Sequence, residues 1–249
     1  MKRPLVLAGA LVGLMAIVVV GAAVVWTLRS DDPDLLTEAP AIPTAAPSGL
    51  DAAPTEEPDE AAQAPAVDLP EGVRRFVVAS GESSAKYVVE ETLSGLPATA
   101  VGTTTDVTGD IYLTADGLYD GLESKFMVDL STLQTDESRR DNYVRSNVLQ
   151  TSRFQFAEFV IESIDGFPAG YVEGEETSLT LSGMMTIRDV TLPMTFSVLA
   201  RQGEDTLTAT ADTEFLMSDF GIDPPQVAIA SAKDGVVLQL VIIARDPAS

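Results

Sequence analysis

Residues 178–200, SLTLSGMMTIRDVTLPMTFSVLA, carry the strongest constraint on the fold. Leu179, Leu181, Gly183, Met185 and Ile187 alternate with Ser178, Thr180, Ser182, Thr186 and Arg188, a period of two that belongs to a strand with one apolar face. After Arg188-Asp189 the phase flips, and Val190, Leu192, Met194, Phe196 and Val198 become the apolar series. Folding the chain back at that dipeptide sets Ile187 against Val190, Met185 against Leu192, Gly183 against Met194 and Leu181 against Phe196. A slip of one residue would turn every one of these side chains to the wrong face, so the segment specifies both an antiparallel hairpin and its register. Arg-Asp is not the Asn-Gly of an ideal two-residue turn, although Asp tolerates the left-handed region better than most residues, and a slightly longer loop is the alternative.

The chain has 249 residues, a formal net charge of −23, and neither Cys nor His. Disulfides, thiol nucleophiles, His-based triads and His or Cys zinc sites are excluded. A general base would have to be a carboxylate or lysine with a strongly shifted pKa, so a non-enzyme is expected. The acidic balance also argues against nucleic acid as a partner.

Three regions follow from composition. Residues 4–28 hold no charged side chain, with Lys2 and Arg3 before them and Arg29 after, and Trp26 lies near the end of the run. A helix of that length exceeds the roughly 30 Å hydrocarbon core of a bilayer. Residues 1–29 therefore read as an uncleaved transmembrane anchor with a cytoplasmic N-terminus and an extracytoplasmic remainder; a cleaved export signal is the alternative. Residues 30–72 are rich in Pro, Ala, Asp and Glu and contain no Lys or Arg, the composition of a disordered, solvated linker. Residues 73–246 form the globular domain, and 247–249 a short tail.

Within the domain, strands are expected at 75–79, 85–90, 104–113, 121–130, 154–164, 179–188, 190–200, 207–215 and 236–244. Short strands separated by turn residues describe an antiparallel all-β sheet that closes as a barrel or packs as a sandwich. Residues 135–150 break the pattern and read as a short helix or ordered loop over one mouth, with Tyr143, Val144 and Val148 as a narrow apolar stripe. Strand 236–244 is apolar on both faces, with Val237, Val241 and Ile243 opposite Val236, Leu238, Leu240 and Ile242. Its outer side needs a cover, whether a helix, the membrane or a second protomer, so a homodimer is one expectation.

An ordered series of segments resembles the YceI-like family. SSAKYVVEETL and TTTDVTGDIYL resemble its opening strands, and FMVDLSTLQTDESRRDNYVRSNVLQTSRFQFAEF its D-x-S-x-L stretch, helix and aromatic strand. LSGMMTIRDVTLPMTF resembles its G-x-L-T-I-x-G-V-T-x-P hairpin, and FLMSDFGI its D-F-G-I segment. Asp189 stands where the family usually has Gly, Met217 near a common Arg, and Ser152-Arg153 in place of a common Pro. The resemblance implies a lipocalin-like antiparallel barrel of about eight strands that holds an amphiphile with an isoprenoid tail, with no other cofactor. A filled barrel serving a structural or protein-interaction role in the cell envelope is the alternative.

The expected inward set is Phe126, Val128, Phe154, Phe156, Ile187, Phe196, Val198 and Phe215. Arg140 or Arg145 is placed at the mouth beside a head group and Tyr143 among the ligand-binding residues, with Arg140 and Asp141 alternatively tying the helix to neighbouring strands. Asp219-Phe220-Gly221 spells a kinase metal motif, but without a phosphate loop or any His it reads as a turn with Gly221 at positive φ and Phe220 plugging one end. Asp106, Asp110, Asp116 and Asp120 lack calcium-loop spacing, so no metal is expected.

Overall fold

The computed structural model describes residues 35–43, 68–168, 170 and 172–248. The stretch read as a membrane anchor lies outside them, and among the described residues no helix is long and apolar enough to cross a membrane. The strands are β1 (Arg74–Val78), β2 (Ser84–Leu93), β3 (Leu96–Thr104), β4 (Val107–Thr114), β5 (Gly117–Leu118), β6 (Lys125–Asp129) and β7 (Phe156–Asp165), then β8 (Glu176–Ile187), β9 (Val190–Gln202), β10 (Thr206–Leu216), β11 (Gln226–Val227) and β12 (Ala230–Arg245).

All pairings are antiparallel, and the order β4, β6, β7, β8, β9, β10, β12 is closed by β1, which pairs with both β12 and β4. β2 continues the line of β1 along β12, and β3 continues that of β4, so the wall is an eight-stranded barrel. Closure pairs both sides of every long strand except β3, which among the described residues meets β2 on one side and only Gln134, through a single bridge at Thr103, on the other. Where the chain breaks between β1 and β2, the fully buried Ser83 repairs the ladder: its hydroxyl donates to Ile243 O (3.1 Å) and accepts from Ile243 N (3.0 Å).

The β8–β9 hairpin has the expected register from Ile187–Val190 through Leu181–Phe196. The left-handed residue of its turn is Arg188, at φ 58°, and not Asp189. Reading 104–113 as one strand missed β3, whose LPATAVGTT lacks a clear apolar alternation and is held by pairing with β2.

A second difference lies in the linker. Residues 35–43, expected to be part of a disordered spacer, run along the outer wall over β10 and β12. The Gln239 side chain, itself 1 % exposed, brackets Leu36, accepting from its N–H (2.9 Å) and donating to its carbonyl (3.0 Å). Thr210 donates to Glu38 O (2.8 Å) and Thr208 to Pro40 O (2.7 Å), while Ala39 N donates to Glu176 Oε2 (3.0 Å). Leu35 and Ala39 are buried, as are Thr208 and Thr210 beneath them. This strap overlies part of the outer face of β12 that needed a cover. Composition correctly says that the segment has no core of its own; it misses that outward hydroxyls and one amide can satisfy the strap's backbone groups.

Candidate functional site

The inward residues of successive strands divide the barrel into two halves. On β12, Val236, Leu238 and Leu240 line a cavity, whereas Ile242 and Ala244 are buried beyond it. On β8, Met185 and Ile187 reach the cavity and Leu181 does not. The half near the 203–205 turn is therefore packed solid around Phe76, Ile111, Phe196, Ile242 and Ala244. The half near the 188–189 turn encloses ≈ 730 Å³ and opens at a mouth framed by 93–94, 136–149 and 225–230. That volume falls within the roughly 300–1,000 Å³ of typical ligand sites.

Helix α1 (Ser138–Tyr143) and the π-turn that follows it (Val144–Val148) lie across this mouth. Glu137 caps the helix by accepting from Arg139 N (3.1 Å). The buried Asp141 accepts from both Thr135 N (2.8 Å) and Thr135 Oγ1 (2.7 Å), which fixes the loop entering the helix. Tyr143, Val144 and Val148 turn their apolar stripe into the cavity.

Phe126, Val128, Arg140, Tyr143, Ile187 and Phe215 line the cavity. Phe196 and Val198 point inward but belong to the solid half, Phe196 packing edge-to-face on Phe159 with ring centroids 4.8 Å apart. Phe220 is buried in the turn before Gly221, whose φ is 64°, and packs on Phe215 at 5.2 Å, so it closes the wall behind the cavity without lining it. Phe154 and Phe156 are corrections to the inward set. On β7 the inward phase is Ala157, Phe159 and Ile161, which leaves Phe156 outside and 44 % exposed, while Phe154 stacks under the Arg153 guanidinium. An apolar residue at both 156 and 157 makes the phase ambiguous from sequence alone.

Several lining residues escaped the sequence reading. β2 contributes Ala85, Tyr87, Val89, Glu91 and Leu93, and the turn after β10 contributes Met217 and Ile222. The alternation of β2 was visible, but which of its faces looks inward depends on closure. Tyr87 lies across Gly102 on β3, where a Cβ would come 2.2 Å from its ring. Burial pushes the Tyr87 phenol up to about 12, so it is a neutral hydroxyl at ordinary pH.

Asp136, Glu137, Arg139 and Arg140 bring charge to the rim. Arg140 is paired with Glu91 at 3.0 Å and with Asp136 one turn back, so its charge is already matched, in keeping with a role in tying the helix to β2. Arg145 donates to Leu133 O (2.8 Å) and to Asn142 Oδ1 (3.1 Å). Arg139 lines the rim, and among the described residues its side chain has no acidic partner within ion-pair distance. Of the four aspartates considered for calcium, Asp110 pairs with Arg75 at 2.7 Å, and no cluster of acidic side chains among the described residues is arranged to hold a metal.

A closed eight-stranded barrel, solid at one end and hollow and apolar at the other, defines a barrel built around an internal cavity. The chain belongs to the YceI-like domain family, whose model matches residues 76–244. Two solved structures share the fold. One is a polyisoprenoid binding domain from Saccharophagus degradans implicated in plant cell wall breakdown, at 12 % identity and TM-score 0.55, covering 69 % of this chain and 98 % of that one. The other is BcnA of Burkholderia cenocepacia, at 17 % identity and TM-score 0.51, covering 67 % and 98 %. No curated protein matches the chain.

Proposed function

We propose that this protein holds an amphiphilic lipid with an isoprenoid-type tail in the barrel cavity, tethered to a membrane by residues 4–28 with the barrel outside the cytoplasm. The observation that carries the reading is the ≈ 730 Å³ apolar cavity, walled by Phe126, Val128, Ile187, Leu238 and Leu240, with Arg139 and Arg140 at its mouth. The polyisoprenoid-binding description of the Saccharophagus degradans relative supports the choice of tail.

Each methylene transferred into such a wall contributes about 0.8 kcal/mol, so a fifteen-carbon tail gains roughly 12 kcal/mol gross. Association itself costs roughly 4–15 kcal/mol, so only long tails are retained. The head group sits at the mouth, where Arg139 meets an anionic group and the Tyr87 hydroxyl donates to a neutral one. Holding, storing or ferrying the lipid needs no covalent step, and the chain brings neither His nor Cys to the cavity. A space of this size also counts against a barrel filled for a purely structural role.

Native mass spectrometry of the full chain, extracted from its own membrane in mild detergent, tests the proposal. A co-purifying lipid of fixed mass that dissociates as an isoprenoid amphiphile is expected. Consistently empty protein under conditions that preserve other lipid complexes overturns it.

A further inference from the structure

We infer that the barrel mouth docks directly on the lipid bilayer, with the 35–43 strap setting that orientation and the rim residues Leu93, Leu96, Val227 and Ile229 entering the interface. This rests on the reading of residues 4–28 as a membrane span. The first support is the direction of the strap. Its partners along β10 and β12 run in order from Gln239 at Leu36, through Thr210 at Glu38 and Thr208 at Pro40, to Gly203 beside Ile42. Gly203 lies at the solid end, so the N-terminal end of the described strap, at Leu35, points toward the mouth.

The second support is length. From Arg29 to Leu35 an extended chain reaches at most about 21 Å. From Gln239 to the rim at Ala230 is nine residues of a tilted strand, roughly 23 Å along the barrel axis. The two distances match, so a docked strap holds the mouth at the membrane surface. Seating the solid end on the bilayer would need the chain to reverse at Leu35 and cover the six residues from Gln239 to Arg245, roughly 15 Å, which leaves about 6 Å of its reach for the turn.

The third support is the rim itself. Leu93 and Leu96 flank the β2–β3 turn, and the 226–230 loop lies against it, with Ser94 N donating to Ile229 O at 2.7 Å. Leu93, Leu96, Val227 and Ile229 are 38 %, 70 %, 47 % and 66 % exposed. Apolar side chains grouped in this way mark an interaction surface. Leu93, Val227 and Ile229 also line the cavity, so the exposed patch continues into it. A tail could then pass between bilayer and barrel without crossing water.

The chain has no Cys, so single cysteines report cleanly. The full chain, reconstituted in phosphatidylcholine liposomes, carries a bimane label at Leu96→Cys or, at the solid end, at Glu204→Cys. Nitroxide-bearing phosphatidylcholine is expected to remove most of the fluorescence at 96 and little at 204. Equal quenching at the two positions, or none at 96 in protein that floats with the liposomes, overturns the docking while leaving lipid binding to the mass-spectrometric test. Protein that does not float overturns the span and the docking together. Ala39→Arg, which places a guanidinium at a buried strap position while changing no residue of the barrel, is expected to abolish the difference between the labels. A difference that persists removes the strap from the inference.

Discussion

Phe196 and Val128 both point into the barrel, and their substitution separates core from cavity. Phe196 is 1 % exposed and sealed against Phe159, so Phe196→Ala leaves a void that its neighbours cannot fill. The expected cost is about 3–5 kcal/mol. In a protein of this size that lowers the melting temperature by roughly 6–20 °C. Val128 is half-buried and faces open space. In Val128→Asp the new carboxylate keeps its water through the mouth, and the empty protein loses about 1–3 kcal/mol. A bound tail would have to strip that water, a penalty of several kcal/mol. Taking about 3 kcal/mol gives an affinity loss of roughly 100-fold. Thermal melts of the full chain in detergent and titration with a fluorescent farnesyl derivative measure the two effects. The reasoning is refuted if Val128→Asp melts as low as Phe196→Ala, or if it binds the farnesyl probe as tightly as the parent protein.

Other expectations follow from the same geometry. Affinity for prenyl probes of increasing length should rise roughly tenfold for every two methylenes until the cavity is full, measured by competition; a flat series argues against tail burial. Gly183→Ala drives a Cβ to 2.0 Å from the Val160 carbonyl oxygen and is expected to cost about 1–3 kcal/mol in chemical unfolding, because backbone cannot rotate away as a side chain can. Gln239→Ala strands the Leu36 amide and carbonyl, so hydrogen exchange at residues 36–40 should accelerate while β8 and β9 remain protected. Burial raises the Glu214 carboxyl above its ordinary value of 4.5, so the folded state holds this proton more tightly than the unfolded one. That contribution to stability is present below the ordinary glutamate range and is lost as pH rises through the raised value. Glu214→Gln should therefore melt higher than the parent at neutral pH and equal to it in acid.

The sequence carried local structure wherever chemistry alternates. The β8–β9 hairpin, its register and the inward phase of Met185 and Ile187 follow from period two alone, and Gly221 announced its own positive φ. The break in the strand pattern at 135–150, with the apolar stripe of Tyr143, Val144 and Val148, marked the helix over a mouth. The site was legible only in part. Phe215 reaches the cavity on a strand whose Leu207, Ala209 and Ala211 alternate with polar residues, whereas three adjacent apolar residues at 126–128 and two at 156–157 left the choice of face to the neighbouring strands.

What the sequence by itself determined is therefore pairwise: which residues share a face and where a turn must fall, because these depend on the two-residue period and on backbone preferences. Only the tertiary structure decided that Phe196 lies in packed core while Ile187, inward in the same hairpin, borders open space, since packing density depends on what all eight strands bring to one level of the barrel. The same holds for the strap. Residues 35–43 have no core of their own, and their place comes from Thr208, Thr210 and Gln239, about 170 to 200 positions away, whose side chains meet the strap backbone only after the barrel has closed.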